Sequence, residues 1–105
     1  MKIDKTSSID ITSRLHRTQA RKILAEILNK SGISRISFTR HCEEELKKDF
    51  LTTVDVFNVL KAGQIYEDPE WINDSYRYRV ETNKITVVIS FVSPGSVWCV
   101  TAWRK

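Results

Sequence analysis

The stretch SYRYRVETNKITVVISFVSPGSVWCVTAWRK, residues 75–105, decides the fold of this chain. It holds three runs rich in β-branched and aromatic residues, the side chains that pack best on a pleated strand. Two short turn signals separate the runs, Asn-Lys at residues 83–84 and Ser-Pro-Gly-Ser at residues 93–96. Because tight turns join neighbouring antiparallel strands, the stretch predicts a three-stranded antiparallel meander.

The two turns also predict which residues face one another across the meander. A two-residue turn places Tyr78 opposite Ile89, and a four-residue turn places Ile89 opposite Val100 and Phe91 opposite Trp98. Successive side chains of a strand point to opposite faces, so the register predicts an apolar core face and a half-polar face. The predicted core face comprises Tyr76, Tyr78, Val80, Val87, Ile89, Phe91, Trp98, Val100 and Ala102. The half-polar face comprises Arg77, Arg79, Glu81, Thr86, Val88, Ser90, Cys99, Thr101 and Trp103.

The composition is that of one globular domain. Hydrophobic residues make up 41% and charged residues 29%, which is typical of a folded chain rather than a disordered one. We therefore predict a single domain over residues 1–105, in which residues 1–13 form a flexible tail or one weak strand. No run approaches the roughly 20 apolar residues of a membrane-spanning helix, and the first residues do not resemble a signal peptide. We accordingly expect a cytoplasmic protein with no membrane partner.

The charge favours one class of binding partner, and the cysteines and absent motifs bear on metals and cofactors. A formal net charge of +4 favours a polyanion such as nucleic acid. Cys42 and Cys99 lack a metal-ligand spacing and are predicted to be reduced thiols in the core. The sequence contains no P-loop, G-x-G-x-x-G or nucleophile elbow, so we predict neither a metal nor another cofactor.

Helical patterns dominate the chain before the meander. Apolar residues recur there at helical spacing in three segments, each preceded by Ser or Thr residues that can cap a helix. Helices first and strands last are typical of an α+β fold, with N-terminal helices packed on a C-terminal antiparallel β-sheet. The first helix is expected from Leu15 to Gly32, capped by Thr12 or Ser13, and a strand follows over Ile33–Phe38. The second helix is expected from Arg40 to about Asp49, capped by Thr39, with Leu46 and Phe50 turned inward. A third helix, capped by Thr52 or Thr53 and ended by Gly63, is followed by a strand over Gln64–Glu67 and a loop over Glu70–Asp74.

A set of polar residues suits the cleavage of RNA without a metal. In that reaction a base takes the proton of the ribose 2′-hydroxyl, cations hold the phosphate, and an acid protonates the leaving 5′-oxygen. An imidazole can serve either proton role near neutral pH, which makes His41 the candidate acid or base. Arg77 and Arg79 are the candidate phosphate clamps. Glu81 is the candidate partner base, and Thr101 would orient the phosphate or the scissile ribose.

Residues at the end of the chain complete the candidate site. Trp103 can stack on a base, and Arg104 and Lys105 can contact phosphates. Structural roles explain several of these residues equally well. Arg77 and Glu81 could form an ordinary surface ion-pair ladder, and Trp103 could simply cover the sheet.

The segment SFTRHCEEEL, residues 37–46, is similar to the S-x-H-A-x-E-R motif of a small bacterial family of unknown function. The chain also resembles that family's T-x-x-D-V-x-x-V-L-x-x-G-x-I segment at residues 53–65, its Y-R-V strand at 78–80 and its terminal V-x-T-x-W strand at 97–103. That family, with the MqsR, BrnT and RelE toxins, resembles a superfamily of compact metal-independent ribonucleases. The MqsR-like layout, helices followed by a meander ending in basic residues, covers the whole chain.

The resemblance implies a RelE/MqsR-like microbial ribonuclease fold and the activity of an mRNA interferase. Such a toxin cleaves mRNA, either free or on the ribosome, and a cognate antitoxin protein holds it inactive. The resemblance carries over His41, Arg79 and, more weakly, Thr101 as site residues. The alternative is a non-catalytic module of the same fold that binds nucleic acid or protein.

The chain departs from the family pattern at two positions. Glu45 occupies the place where the pattern tends to have Arg, so Arg40 or Arg77 would have to supply that phosphate contact. Cys42 replaces a small Ala.

Overall fold

The computed structural model describes residues 11–105, and residues 1–10 of the predicted tail lie outside the described part. In this described part, three α-helices pack against a five-stranded sheet, so the predicted α+β class is confirmed. None of the helices within residues 11–105 is long and apolar enough to cross a membrane. The elements are α1 (Arg17–Ser31), a 3₁₀ turn (Gly32–Arg35), β1 (Ile36–Phe38), α2 (Arg40–Lys48), α3 (Thr53–Ala62), β2 (Glu70–Ile72), β3 (Ser75–Glu81), β4 (Ile85–Ser93) and β5 (Ser96–Arg104).

The strand order across the sheet is β1-β5-β4-β3-β2. Strands β2 to β5 pair antiparallel, which confirms the predicted meander of β3, β4 and β5. Strand β1 runs parallel to β5, so the sheet is mixed and the prediction of a purely antiparallel sheet is wrong at this strand. A parallel pair needs a long crossover connection. Here the crossover contains every element between β1 and β5, and no local sequence pattern reveals such a distant pairing.

The outer strand on the other side of the sheet is β2, where a loop was predicted. It pairs with β3 through a tight turn in which Asn73 and Asp74 have positive φ angles of 51° and 63°. Asn and Asp tolerate this left-handed conformation, which two-residue hairpin turns require. The strand predicted at residues 64–67 is reduced to one bridge between Gln64 and Glu81.

The predicted caps of the second and third helices are confirmed. The Thr39 hydroxyl accepts a hydrogen bond from the Cys42 N–H at 3.0 Å. At the start of α3, the Thr52 hydroxyl accepts from the Asp55 N–H at 3.2 Å, and the Asp55 carboxylate accepts from the Thr52 N–H at 2.8 Å. This reciprocal capping box satisfies two N–H groups that the helix itself leaves unpaired.

Helix α1 begins at Arg17, two residues later than predicted, because a hydrogen bond to the sheet holds Leu15. Leu15 is buried, and its N–H donates to the Tyr78 hydroxyl at 3.0 Å. The cap is therefore His16 rather than Thr12 or Ser13, and its Nδ1 accepts from the N–H of the second helical residue at 3.2 Å.

The hydrophobic core lies between the helices and one face of the sheet. One residue predicted to lie in this core does not: Phe50 is 87% exposed. Its backbone has a φ of 55° and reverses the chain after α2 ends, which turns the side chain outward. The buried residues from the helices include Ala20, Leu24, Ile27, Leu28, Cys42, Leu46, Val56, Val59 and Leu60, and those from β3 to β5 are Tyr78, Val80, Val87, Ile89, Phe91, Val97, Cys99 and Ala102.

The register of β3 on β4 is as predicted, with Tyr78 opposite Ile89. Two irregularities interrupt the ladder between β4 and β5. They leave Val92 and Val100 unpaired, and the pairing between them is shifted by one residue. Ile89 therefore faces Cys99 instead of Val100.

This shift exchanges the faces of residues 97–99. Val97 and Cys99 are buried in the core, whereas Trp98 lies opposite Ser90 and is 37% exposed. The predictions of Trp98 and Val100 on the core face, and of Cys99 on the half-polar face, are therefore wrong. Each β-bulge adds one unpaired residue, so the side chains between two bulges change sides relative to a regular strand.

Groups from outside the meander hold the bulge at Val100. The Thr39 hydroxyl donates to the Val100 carbonyl at 3.0 Å, and the Thr39 N–H donates to the Cys99 carbonyl at 3.1 Å. At the other end of α2, the Arg104 N–H donates to the Asp49 carboxylate at 2.7 Å. Helix α2 thus runs along the edge of β5 that β1 leaves uncovered, and it protects that edge from pairing with another strand.

Gly63 ends α3 where two backbone segments meet, which makes it a sensitive position. A Cβ atom there would lie 2.7 Å from the Val59 carbonyl oxygen and 2.9 Å from the Glu81 carbonyl oxygen. Backbone groups cannot rotate away as a flexible side chain can, so we expect Gly63→Ala to lower the free energy of unfolding by about 1–3 kcal/mol in urea denaturation. Gly95→Ala is the matched control, because no heavy atom lies within 4 Å of a Cβ there. Equal stability of the two variants would contradict this reasoning.

Candidate nucleic-acid interface

The face of the sheet opposite the core carries the polar residues, and we call it the polar sheet face. Its central strand, β4, contributes short side chains that are buried, while the flanking strands β3 and β5 contribute long, partly exposed ones. The result is a floor of small residues between two rows of larger ones. The members are Arg77, Arg79 and Glu81 on β3, Thr86, Val88 and Ser90 on β4, and Trp98, Thr101 and Trp103 on β5.

Arg79 and Trp103 meet across the floor of this face. The guanidinium carbon of Arg79 lies 5.8 Å from the centre of the Trp103 ring, although β3 and β5 are not neighbouring strands. The attraction between a cation and an aromatic face contributes about 0.5–1 kcal/mol at an exposed site. Arg79 also approaches the Glu70 carboxylate at 3.7 Å, and its side chain remains 44% exposed. It is thus positioned by the ring and still open to an incoming anion.

Glu81 is already engaged by two donors. The Lys105 ammonium lies 2.9 Å from its Oε1, and the Thr86 hydroxyl donates to the same oxygen at 3.4 Å. The Glu81 side chain is 17% exposed, so this ion pair is partly shielded from water. The pairing joins the end of the chain to the polar sheet face. It also departs from the ladder expected along β3, because Glu81 pairs with Lys105 and Arg79 pairs with Glu70.

Thr101 lies in the same cross-strand row as Arg79, with Val88 between them. Two strand spacings separate the backbones of Thr101 and Arg79 by about 10 Å, enough for a phosphate and its ribose to lie between the side chains. Arg77 lies two residues before Arg79 on β3, and its Nε donates to the Ser75 hydroxyl at 3.3 Å. The structure therefore brings together the predicted residues of the meander.

His41 lies on α2 rather than on the sheet. It is exposed in the first turn of the helix, and within the described part of the chain it makes no hydrogen bond or ion pair. Thr39 anchors this turn to the carbonyl of Val100, the residue that precedes Thr101. The helical turn that carries His41 is therefore anchored to β5 next to Thr101.

Two predicted RNA contacts occupy different environments. Arg40 is 93% exposed, with only a 3.7 Å approach to Glu44. The Arg104 guanidinium instead donates to the carbonyls of Asp49 and Phe50 at 3.2–3.3 Å. It caps the C-terminus of α2, where cations also interact favourably with the helix dipole. The structure thus assigns Arg104 a structural role, and its contact with RNA stays a prediction.

Trp98 is the residue of this face that the sequence interpretation missed. Its ring is available because the bulge at Val100 turns it away from the core. The signal that could have revealed it is Thr39, whose hydroxyl accepts from the N-terminus of α2 and donates to β5 at the same time. A threonine at a helix cap does not by itself predict a hydrogen bond from its hydroxyl to a distant strand.

A second group of cations, on α1 and in the segment before it, serves the fold. The Arg21 guanidinium donates to the carbonyls of Gly63 and Lys61 at 2.8 and 2.6 Å, where it caps the C-terminus of α3. Burial lowers the pKa of Arg21. Arg14 and Arg17 both approach the Asp68 carboxylate, at 3.1 and 3.7 Å. The polar sheet face is therefore the better candidate for an anionic ligand.

The fold and this face define a small α+β protein with a cationic and aromatic sheet surface. Residues 11–105 contain no group of three or more His, Cys, Asp or Glu side chains that could hold a metal ion. Residues 38–104, well over half of the chain, match the family model described as a domain of unknown function, DUF4258. The chain belongs to this family. Searches of curated proteins and of solved structures find no significant match.

The family match covers the parts that build the polar sheet face. It begins at the last residue of β1 and ends at the last residue of β5, so it includes α2, α3 and the meander but not α1. The family description names no activity, and the resemblance to RelE-like and MqsR-like toxins stays a prediction.

Replacement of Arg104 tests its structural role. We expect Arg104→Ala to lower the free energy of unfolding by about 1 kcal/mol, because the variant leaves the Asp49 and Phe50 carbonyls, which directly follow α2, without this donor. Arg40→Ala is the control from the other end of the same helix, and its effect should stay within about 0.5 kcal/mol. Urea denaturation measures both values. An Arg104→Ala protein as stable as the wild type would rule out the capping role.

Proposed function

We propose that the protein is a metal-independent endoribonuclease of the toxin type, an mRNA interferase, that binds RNA on the polar sheet face. The observation that carries this proposal is the Arg79 guanidinium held over the Trp103 ring at 5.8 Å, in the same cross-strand row as Thr101. A fixed cation beside a partly exposed aromatic ring offers phosphate binding and base stacking within one nucleotide's length. The net charge of +4 favours the approach of a polyanion.

Binding would use the two rows of long side chains. Arg79 and Arg77 would grip successive phosphates, and Trp103 and Trp98 would stack on unpaired bases. Stacking needs bases that are free of a duplex, so single-stranded RNA is the expected substrate. Lys105 is paired with Glu81 at 2.9 Å, so it would bind a phosphate only by exchanging this partner.

Cleavage would proceed by transesterification. The 2′-hydroxyl loses its proton to a base and attacks the adjacent phosphorus, while the 5′-oxygen leaves with a proton from an acid. The products are a 2′,3′-cyclic phosphate and a 5′-hydroxyl end. His41 would take one proton role from the β5 edge, Thr101 would orient the scissile phosphate, and Arg79 would stabilise the charge on its oxygens. A cognate antitoxin protein, covering this face, would keep the enzyme inactive.

Induced expression in bacteria tests the ribonuclease proposal. We expect the wild type to arrest growth and to create new RNA 5′-hydroxyl ends, and His41→Ala and Arg79→Ala to abolish both while remaining folded. Loss of an acid or base typically costs 10²- to 10⁴-fold in rate. Arg35→Ala is the control, because Arg35 is exposed on the 3₁₀ turn and lines a pocket with α1 and the β4–β5 turn rather than with the polar sheet face. Normal growth and intact RNA with a folded wild type would contradict catalysis.

The second candidate is a non-catalytic module that binds RNA through the same face. Two observations favour it: Glu81 is occupied by Lys105, and His41 makes no polar contact with the face within the described residues. Neither candidate base is therefore arranged for proton transfer in the free protein.

Fluorescence anisotropy with a labelled single-stranded RNA tests binding apart from cleavage. We expect Arg79→Ala to weaken affinity about tenfold and to reduce the slope of log K against log salt by about 0.7, because one phosphate contact is lost. Arg35→Ala should leave affinity and slope unchanged. Tight, salt-dependent binding without any cleavage product would favour the binding module, and absence of binding would count against both candidates.

A further inference from the structure

Two cysteines from distant parts of the chain meet inside the protein. Cys42 lies in the first turn of α2 and Cys99 lies in β5, 57 positions later, and their sulfur atoms are 2.7 Å apart. Both side chains are fully buried and both are free thiols. A disulfide bond is about 2.05 Å long, so the sulfurs need to approach by less than about 1 Å to form one.

We propose that Cys42 and Cys99 are an oxidisable dithiol, which hydroperoxides convert to an intramolecular disulfide between α2 and β5. The bulge at Val100 creates this site, since it turns Cys99 into the core, where Cys42 already lies. In a reducing compartment the thiols stay reduced, and disulfides that form there are transient and respond to oxidants. The inference does not depend on the proposed ribonuclease activity.

The reaction balances with one hydroperoxide for each pair of thiols. The Cys42 thiolate attacks the peroxide oxygen and becomes a sulfenic acid, and the O–O bond breaks to release water or an alcohol after protonation. The Cys99 sulfur then attacks the Cys42 sulfur, the S–S bond forms, and the hydroxyl leaves as water with the Cys99 proton. Both thiols lose one electron each, and the peroxide accepts the two electrons.

The order of the two steps follows from the surroundings of each thiol. Cys42 lies at the N-terminal end of α2, where the helix dipole favours a thiolate. The hydrogen bond with Cys99 lowers the pKa of Cys42, against the opposing effects of burial and of the Glu43 and Glu45 carboxylates, whereas the same bond and burial raise the pKa of Cys99. Cys42 is therefore the attacking thiol and Cys99 the resolving one.

Burial controls the access of the oxidant. Because both thiols are fully buried, a hydroperoxide reaches Cys42 only when the N-terminus of α2 opens locally. A small oxidant is favoured over a bulky disulfide such as oxidised glutathione. Since the chain contains only two cysteines, an oxidised monomer has one pairing available to it.

The disulfide would fasten α2 to the sheet. It would close a loop that contains α3 and the strands β2 to β4, which restricts the unfolded chain and so stabilises the folded one. It would also fix the turn that carries His41 against β5. For a domain of this size, we expect a rise in melting temperature of roughly 10 °C.

Mass spectrometry of the purified full chain tests the proposal. The protein is treated with hydrogen peroxide, unfolded, and alkylated with N-ethylmaleimide. We expect a loss of two hydrogens per chain, no alkylation, a monomer on a non-reducing gel, and a melting temperature that dithiothreitol returns to its original value. Two alkylated cysteines after oxidation, overoxidation to sulfinic acid, or a disulfide-linked dimer would each overturn it.

Cys42→Ala is the control for the thermal effect, because it retains Cys99 and removes only the partner. Peroxide should not raise its melting temperature, and the same rise in this variant would show that the stabilisation is not due to the disulfide. If Cys42→Ala does not fold, Cys99→Ser serves in its place, and the mass measurement on the wild type decides the outcome without either variant.

Discussion

The hydrogen bond from the Thr39 hydroxyl to the Val100 carbonyl, at 3.0 Å, is the contact on which the arrangement of this protein depends. The same hydroxyl accepts the Cys42 N–H, so one side chain both begins α2 and anchors it to β5. The anchored carbonyl belongs to the unpaired residue of a bulge, and the bulge decides that Cys99 turns into the core and Trp98 turns out of it. A helix cap contributes only about 1 kcal/mol to stability. Here the same side chain also binds the bulge that sets which face of the sheet residues 97–99 point to.

The division of the sheet into two unlike faces follows from how the helices pack. Buried side chains from α1, α2 and α3 cluster with the apolar face of the meander and form one core. Val88, although buried, lies outside that cluster, since it belongs to the opposite face. Its cross-strand neighbours are Arg79 on β3 and Thr101 on β5, and the Arg79 side chain reaches the Trp103 ring. A surface of this kind, with cations and rings over small residues, suits a ligand that combines charge with flat apolar groups.

The charged groups of the protein divide into those that hold the fold and those that remain available. Arg21 and Arg104 each cap the end of a helix, and Glu81 holds Lys105. Arg79 keeps nearly half of its side chain exposed. A count of basic residues therefore overstates the number of cations that can bind a ligand. The family match spans the meander and so includes the polar sheet face.

Local patterns were sufficient to predict the α+β class, the helix cap at Thr39, a cap at Thr52 or the next residue, and the register of β3 on β4. Each of these depends on residues close together in the chain, through side-chain periodicity, turn length or a cap three residues away. Only the tertiary structure decided that β1 runs parallel to β5, that Trp98 faces outward, and that the two cysteines meet. These features depend on contacts between residues about 60 positions apart, and a bulge leaves no periodic signal, because it changes the pairing partner and not the type of residue.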